Sequence, residues 1–239
     1  MESKEEIRQR IWNLLEETNI ARFPRPVFNR IPNFVGADIA ADKIIKSEFF
    51  KQSRVIKVNP DSPQRKIREK ILESGKILVM PTPRIREGFL VLDPSRIPND
   101  QYKFASTIKG AFIYGQKVHP KFLPKIDMIV LGSVAVSLNG ARIGKGEGYG
   151  ELEFAILLEY GKISKDVTIF TSVHDIQIVD RIPVEPFDVS VDFIATPTTI
   201  YEITNKHERP NGIIWDLLSE EKINEIPLLK EMKNKKSSF

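Results

Sequence analysis

The sequence predicts an α/β fold with a mostly parallel β-sheet and helices on both of its faces. Two observations support this prediction. Several predicted strands are nearly continuous apolar runs, such as KILVM at 76–80 and VTIFTS at 167–172, and such runs are typical of strands buried on both faces. Segments with helical spacing of apolar residues alternate with these runs, as they do in folds built from βαβ units.

The chain opens with a predicted amphipathic helix over residues 3–18. Ser3 followed by Glu6 has the spacing of a capping box, and apolar residues recur at helical spacing from Ile7 onward. Lys4 and Arg8 are one helical turn apart in this segment. We therefore expect the two cations to lie on one face of the helix.

A proline-rich stretch and further helices follow. Residues 22–32 contain three prolines and three arginines, and proline at this density predicts an extended basic loop. Helical spacing over 37–49 precedes a short predicted strand at 54–58. Ser62 and Pro63 then supply an N-cap and a first-turn proline to the next helix.

Further strands are predicted at 88–92, 127–136 and 191–203 from their apolar and β-branched residues. Residues 93–125 lack clear periodicity and are too long for an ordinary connecting loop, so we expect them to form a wall of a ligand site. Residues 204–239 are predicted as a charged helical extension whose last residues are frayed. We divide the chain into an α/β domain over 1–203 and this extension.

Composition excludes several classes of protein. The 239 residues are 41% hydrophobic and 28% charged and contain no cysteine, which excludes a disordered chain, a disulfide scaffold and thiolate metal sites. The net charge of +4 is mildly favourable toward anionic ligands. No apolar run is long enough to cross a bilayer, and the first ten residues are too charged for a signal peptide. We predict a cytoplasmic protein with no membrane partner.

The most informative segment is a glycine-rich turn between a buried strand and a helix. Glycines at 144, 146 and 148 allow the backbone to turn its N–H groups toward one point, and the positive end of the following helix dipole adds to this field. Arg142 and Lys145 add positive charge. The turn is therefore a candidate phosphate-binding site.

The spacing of this turn differs from the common phosphate loops. Gly146 follows Lys145 where a Walker A motif needs Ser or Thr, and Tyr149 stands where a dinucleotide fingerprint needs its third glycine. A flexible hairpin or a tight strand-to-helix turn explains the same glycines equally well. The sequence has neither a His-Glu-x-x-His nor a Gly-x-Ser-x-Gly motif, which argues against a zincin-type metal site and a serine hydrolase.

The run RIGKGEGYGE, preceded by DMIVLGSVAVSLNG, resembles the signature of the 5-formyltetrahydrofolate cyclo-ligase family, also called methenyltetrahydrofolate synthetases. Downstream, IPVEPFDVSVDFIAT resembles the closing motif of the same family. The segments KEEIRQRIWNLLE, FPRPVFNRIPNF, GARIGKGEGYGELE and VHDIQIVD are most similar to the divergent branch of methenyltetrahydrofolate synthetase domain-containing proteins. The resemblance implies a three-layer α/β/α fold like that of ribose-phosphate isomerase and coenzyme A transferase.

The resemblance also implies a reaction and its cofactors. The family uses ATP and Mg²⁺ to cyclise 5-formyltetrahydrofolate to the 5,10-methenyl form, with release of ADP and phosphate. The substrate is thus a formyl folate or a related pterin, and the second ligand is a nucleotide. Phosphoryl transfer requires in-line positioning and charge neutralisation, which the glycine turn and its cations suit.

Site residues follow from the resemblance by position. The residues implied in catalysis are Arg142 and Lys145. Those implied in nucleotide binding are Lys4, Arg8, Gly144, Gly146, Gly148 and Tyr149. The implied metal ligands are Glu151 and Asp188, and Gln64 stands near the position where the family places a substrate-binding glutamate before a helix.

Departures from the family pattern keep other interpretations open. Gln64 lacks the charge of the family's glutamate, Gly150 and Glu151 replace Tyr-Asp, and Phe187 replaces a histidine. Glu151 is also explained as an acid in the first turn of a helix, and Asp188 as a solvated loop carboxylate. One alternative is a nucleotide-binding protein that has lost folate chemistry. Another is an RNA-associated module that uses Arg22, Arg25, Arg30, Lys230, Lys233, Lys235 and Lys236.

Overall fold

The computed structural model describes residues 2–236. The end of the predicted frayed tail, residues 237–239, and the side chain of Lys236 lie outside the described residues. The helices are α1 (Lys4–Glu17), α2 (Ala37–Ile45), α3 (Glu48–Gln52), α4 (Arg65–Glu73), α5 (Tyr102–Ala105), α6 (Ile108–Tyr114), α7 (Tyr149–Glu159), α8 (Glu220–Glu225) and α9 (Pro227–Lys236).

The strands form one large sheet and two small hairpins. They are β1 (Ala21–Arg22), β2 (Asn33–Phe34), β3 (Val55–Val58), β4 (Ile77–Pro81), β5 (Phe89–Leu92), β6 (Gln116–Val118), β7 (Met128–Leu131), β8 (Ala135–Val136), β9 (Arg142–Ile143), β10 (Thr168–Ser172), β11 (Phe193–Ala195) and β12 (Ile200–Glu202). β1 pairs with β2 and β8 pairs with β9, both antiparallel.

The large sheet has the strand order β12-β11-β10-β7-β3-β4-β5-β6. Neighbours from β11 to β4 are parallel, and β12, β5 and β6 are antiparallel additions at the two edges. The prediction of an α/β fold with a mostly parallel sheet is confirmed. The chain runs from β3 to β4 on one side and later returns to β7 on the other side of β3. The sheet therefore has a topological switch point between β3 and β7, where ligands of such folds bind beyond the carboxyl ends of the strands.

Helices cover both faces of the sheet because its strands are apolar on both faces. Alternate strand residues such as Ile56 and Val130 pack with α2, α4, α5 and α6. The intervening residues, such as Ile129 and Ile169, pack with α7, α8 and α9. The molecule therefore has three layers, α/β/α. None of these observations tests the more specific likeness to ribose-phosphate isomerase, which stays a prediction.

Helix α1 belongs to a third apolar cluster beside the sheet. Ser3 and Glu6 form the predicted capping box. Ile7 and Ile11 on this helix are fully buried and pack in one cluster with Ala135 and Ile143 of the β8–β9 hairpin. Since that hairpin leads directly into the glycine-rich turn, this packing brings the cations of α1 to the turn.

Two long predicted strands are each divided in the structure. The predicted strand 127–136 forms two separate strands, β7 and β8. Gly132, directly after β7, is closely packed, and a Cβ there would be 2.6 Å from Asp61 Oδ2. The predicted strand 191–203 is the β11–β12 hairpin, in which the Thr196 N–H donates to the Thr199 carbonyl across a proline-containing turn. Local apolar content predicted the strands but not these breaks.

The C-terminal segment packs on the sheet. Ile226 and Leu229 are fully buried and join the same apolar cluster as α7. The buried guanidinium of Arg209 donates to the carbonyls of Ser190, at 3.0 Å, and Val167, at 2.7 Å. The division at residue 203 remains our interpretation. Among residues 2–236, no helix is long and apolar enough to cross a membrane.

Candidate active site

Polar side chains gather at the switch point between β3 and β7. Lys57 is buried within β3, forms an ion pair with the buried carboxylate of Glu153 from α7, and donates to Asn59 Oδ1 at 3.0 Å. Arg68 donates to the carbonyls of Asn59, at 2.7 Å, and Asp61, at 2.8 Å, and so holds the loop after β3. This network fixes the backbone that carries Asp61 into the site.

Asp61 is the acid at this edge of the sheet whose pKa is shifted most. Its carboxylate lies against Gly132, at the end of β7. Burial raises the pKa of Asp61 to about 6, and the positive charges of Arg68 and Lys145 oppose this rise. A carboxyl group whose pKa is raised toward neutrality at the carboxyl end of a central strand is a candidate functional group.

The predicted substrate residue Gln64 occupies a different position from Asp61. Gln64 is fully buried, its amide donates to Ser172 Oγ at 3.1 Å, and its Oε1 atom is buried without a hydrogen-bond partner. Asp61 directly precedes the short 3₁₀ turn Ser62–Gln64 that leads into α4. Asp61 is thus the carboxylate that stands just before the helix. Sequence reasoning missed it, although an acid before Ser-Pro at a helix start was a usable signal.

Arg142 ties the glycine-rich turn to the carboxyl end of β7. It is buried, and its Nη1 donates to the Gly132 carbonyl at 2.7 Å while its Nη2 pairs with the Glu151 carboxylate. A Cβ at Gly150 would lie 3.1 Å from Arg142 Nη2. Glycine at 150, one of the departures from the family pattern, therefore leaves room for the Arg142–Glu151 pair. The Nε atom of Arg142 is buried and has no hydrogen-bond partner.

The turn itself has the backbone conformation that its glycines allow. Gly146 has φ of +107° and Gly148 has φ of +72°, both in the region that L side chains rarely adopt. Gly148 is the N-cap of α7, which begins at Tyr149. Lys145 is exposed at the tip of the turn, where its ammonium lies 2.9 Å from Glu147. Lys145 is thus three residues before Gly148, the N-cap of α7.

The two predicted cations of α1 both reach this region. Arg8 Nε donates to the Gly144 carbonyl at 2.8 Å. Lys4 Nζ lies 2.5 Å from Asp188 Oδ2. Since Lys4 and Arg8 are one turn apart, α1 connects the segment of Asp188 to the glycine-rich turn.

The structure thus joins predicted cations with predicted metal ligands in ion pairs, Arg142 with Glu151 and Lys4 with Asp188. Within the described part of the chain, no group of three or more His, Asp or Glu side chains could hold a metal ion. A metal held by these carboxylates therefore needs other oxygen ligands, and Mg²⁺ takes them from nucleotide phosphates and water. The donor chemistry of Glu151 and Asp188 fits that arrangement.

Helix α8 also contacts the turn. Lys222 Nζ lies 3.7 Å from the centre of the Tyr149 ring and donates to the Glu147 carbonyl at 3.1 Å. The Tyr149 hydroxyl donates to Glu225 Oε1 at 3.3 Å, and Arg84 lies 3.1 Å from the same carboxylate. The C-terminal segment thereby supplies a further cation beside the turn.

Two other expectations involve regions near the site. Ile108 and Phe112, from the segment predicted as a wall, line a small recess with Pro60 and Pro81 at the carboxyl ends of β3 and β4. The role of residues 93–125 as a wall of the ligand site stays a prediction.

Some of the cations assigned to the RNA-associated alternative form ion pairs with acids. Arg25 lies 2.6 Å from Glu16, and Lys235 lies 2.5 Å from Glu231.

Comparisons with known proteins agree on one family. The sequence profile of the 5-formyltetrahydrofolate cyclo-ligase family matches residues 1–197. A methenyltetrahydrofolate synthase domain-containing protein of Bos taurus is 42% identical over 237 residues, which cover 97% of this chain and 62% of that protein. The chain therefore spans less than two thirds of this relative. A probable 5-formyltetrahydrofolate cyclo-ligase of Caenorhabditis elegans is 28% identical over 165 residues, which are 63% of this chain and 76% of that protein.

A solved structure supports the fold. The 5,10-methenyltetrahydrofolate synthetase of Aquifex aeolicus superposes with a TM-score of 0.55 and 17% identity, over 86% of this chain and 95% of that one. At this identity the likeness concerns the fold alone. None of these comparisons points to a nucleic acid partner.

Proposed function

The chain belongs to the 5-formyltetrahydrofolate cyclo-ligase family, as its motifs indicated, and we propose that it cyclises 5-formyltetrahydrofolate, or a related formyl pterin, to the 5,10-methenyl form with ATP. In this reaction the formyl oxygen attacks the γ-phosphorus of ATP and ADP leaves. The N10 amine then attacks the formyl carbon, phosphate departs with the formyl oxygen, and N10 loses its proton. The two steps yield the methenyl bridge, ADP and phosphate.

The observation that carries this proposal is the pairing of cations with acids around the glycine-rich turn. Arg142 is held by Glu151 and Lys4 by Asp188. When a nucleotide enters, the cations gain phosphate oxygens as partners. The carboxylates become available to Mg²⁺, which would neutralise phosphate charge during transfer. The ion pairs thus keep both sets of groups in place until ligand binding exchanges their partners.

The turn and α1 supply the groups that bind phosphate. Gly144, Gly146 and Gly148 allow backbone N–H groups to approach the phosphates at the start of α7. Arg8, fixed by the Gly144 carbonyl, and Lys145, at the tip, provide charge from two sides. The unpartnered Nε atom of Arg142 is a further donor for a phosphate oxygen.

Asp61 is our candidate for recognition of the amino-pyrimidine ring. An ionised carboxylate can accept two hydrogen bonds from an amino group and a neighbouring ring N–H. Asp61 stands at the switch point, beside Gly132. We assign this role to Asp61 in place of Gln64, whose amide is already bonded to Ser172 inside the fold. The Oε1 atom of Gln64 is buried and has no hydrogen-bond partner.

The test is formation of the methenyl product from 5-formyltetrahydrofolate with MgATP, followed by absorbance, in wild type and in Arg142→Lys. The variant keeps one positive charge but loses the planar fork that contacts both Gly132 and Glu151. We expect product with wild type and kcat lower by about 100-fold in the variant. Lys70→Arg, on the exposed face of α4, is the control. ATP binding without product from any formyl pterin would favour the alternative, a nucleotide-binding protein that has lost folate chemistry.

A further inference from the structure

A buried ion pair joins β3, the strand that leads to Asp61, to α7, the helix that follows the glycine-rich turn. Lys57 is the third residue of β3, and Glu153 lies on α7, one helical turn after Tyr149. Both side chains are almost fully buried, and the Lys57 ammonium group contacts the Glu153 carboxylate. Because apolar residues of similar volume often stabilise such positions as well or better, the two charges need an explanation other than stability.

Asn59 connects this pair to the edge of the sheet. It is the first residue after β3 and is only partly buried. Its Oδ1 accepts from the Lys57 ammonium at 3.0 Å, and its Nδ2 donates to Glu153 Oε2 at 3.4 Å. Since an ammonium group can only donate, Lys57 must face the oxygen of the amide. The ion pair therefore sets the orientation of the Asn59 side chain.

The oriented amide of Asn59 keeps one donor for a ligand. Its Nδ2 group has two hydrogens, and among the described residues Glu153 Oε2 is its only acceptor. The backbone of Asn59 is also held, because Arg68 donates to its carbonyl at 2.7 Å and its own N–H donates to the Val130 carbonyl at 3.3 Å. A donor fixed in this way needs little reorganisation when negative charge forms beside it.

Asn59 lies between the two halves of the proposed site. Asp61, the proposed pterin ligand, follows it by two residues, and Glu153 connects it to the helix after the glycine-rich turn. Burial raises the pKa of Asp61, and the positive charges of Lys145, at the tip of the turn, and Lys57 both oppose this rise. The proposed reaction brings the formyl group of the pterin to the γ-phosphate, so the phosphoryl group crosses between these two halves.

We propose that Asn59 is a catalytic residue, an inference that rests on the proposed function. Its free Nδ2 hydrogen donates to an oxygen of the phosphoryl group as that group passes from ATP to the formyl oxygen. In this step the bond from the γ-phosphorus to the ADP oxygen breaks, the bond to the formyl oxygen forms, and charge spreads over the three other oxygens. A fixed donor stabilises this charge more than it stabilises bound ATP. Lys57 and Glu153 are positioning residues for the amide.

The first test is Asn59→Leu, which has a similar shape and no polar atoms in its side chain. We expect kcat for methenyl formation to fall about 100-fold, with KM for MgATP and for the formyl folate within about twofold of wild type. Asn211→Leu is the matched control, because Asn211 Oδ1 also accepts from a lysine, Lys165, at 2.7 Å but lies in the segment before α8. An unchanged kcat with a higher KM would overturn the proposal, since Asn59 would then act in ground-state binding alone.

The double variant Lys57→Met/Glu153→Leu tests the positioning role. It removes both charges together, so no unpaired charge is left buried, and the thermal midpoint should equal or exceed that of wild type. We expect kcat to fall about tenfold, because the Asn59 amide is present but no longer oriented. A lower thermal midpoint with unchanged kcat would show that the pair serves the fold alone.

A calorimetric titration separates this inference from the proposed function. The probes are MgADP alone and MgADP with aluminium fluoride, which mimics the phosphoryl group in transfer and needs no folate. We expect Asn59→Leu to bind MgADP as wild type does but to bind the fluoride complex about 100-fold more weakly. This result supports the role of Asn59 even if no methenyl product forms. Equal binding of the fluoride complex by Asn59→Leu and wild type, equal loss in Asn211→Leu, or no preference of wild type for that complex would overturn it, even with the cyclo-ligase function intact.

Discussion

The Lys222 ammonium group lies 3.7 Å from the centre of the Tyr149 ring. Tyr149 is the first residue of α7, directly after the glycine-rich turn, and Lys222 comes from α8, beyond the residues 1–197 that match the family profile. Glu225 of the same helix accepts the Tyr149 hydroxyl. The C-terminal segment is therefore built against the proposed nucleotide turn.

We expect Lys222→Ala to weaken ATP binding without loss of the fold. The variant removes the cation over Tyr149 and the bond to the Glu147 carbonyl, contacts worth on the order of 1 kcal/mol together, so KM for ATP should rise about fivefold. Glu221→Ala, an exposed change on the same helix, is the control. An unchanged KM for ATP in Lys222→Ala would show that α8 has no part in nucleotide binding.

Glu151→Gln tests the proposed metal role of this carboxylate. We expect the Mg²⁺ concentration for half-maximal activity to rise about tenfold, because an amide is a much weaker ligand for Mg²⁺ than a carboxylate. Glu147→Gln, in the same turn and paired with exposed Lys145, is the matched control. If Glu151 only stabilises the fold, the variant should instead have a lower thermal midpoint and the same Mg²⁺ dependence as wild type.

Gly148→Ala tests the geometry of the turn. Gly148 and Gly161 flank the two ends of α7, have φ of +72° and +64°, and would each have free space around an added Cβ. Alanine at either position should destabilise the fold by about 1 kcal/mol through backbone strain. Only Gly148→Ala should also weaken ATP binding, because it displaces the N–H groups at the start of α7. Equal effects of both variants on ATP affinity would refute a phosphate role for the turn.

The raised pKa of Asp61 predicts that substrate binding depends on pH. Its pKa is raised to about 6 by burial, so the carboxyl group is largely protonated below that pH. KM for the formyl folate should therefore fall as pH rises from about 5 to about 7, as the carboxylate forms. Asp61→Asn should remove this dependence, and Asp166→Asn, on the loop before β10, should retain it. A pH profile unchanged in Asp61→Asn would show that another group recognises the pterin.

The same carboxyl group links stability to pH. Its pKa rises from 3.8 to about 6 on folding, so the folded state binds more protons than the unfolded state between these values. The stabilisation from Asp61 is fully present below about pH 4 and is lost as pH rises through about 6. We expect Asp61→Asn to be more stable than wild type at neutral pH, by on the order of 3 kcal/mol, with the difference vanishing at low pH. Thermal unfolding at pH values from about 4 to about 7 measures this stability difference, with Asp166→Asn as the control.

Local signals predicted most elements of the fold. The Ser3–Glu6 capping box and the apolar spacing after it predicted α1, and continuous apolar runs predicted the parallel strands at the centre of the sheet. The breaks after β7 and between β11 and β12 were not predicted. The first break lies at Gly132, which packs closely against Asp61 from a distant part of the sequence, and the second lies at the local turn around Pro197.

The candidate site was predicted less completely than the fold. The motif around Arg142 and Gly144 identified the turn, but sequence spacing could not show that Arg142 pairs with Glu151 or that Lys4 pairs with Asp188. Asp61 was missed because its environment is made by strand pairing between β3 and β7, which are distant in sequence. The contact of Lys222 with Tyr149 was missed because these two residues are also far apart in the sequence.

The most direct measurement is the absorbance of the 5,10-methenyl product when the protein is mixed with MgATP and 5-formyltetrahydrofolate. We expect product with stoichiometric release of ADP and phosphate, and loss of product when ATP is omitted. ATP binding with no product from any formyl pterin would contradict the proposed reaction. Absence of ATP binding would in addition contradict the proposed role of the glycine-rich turn.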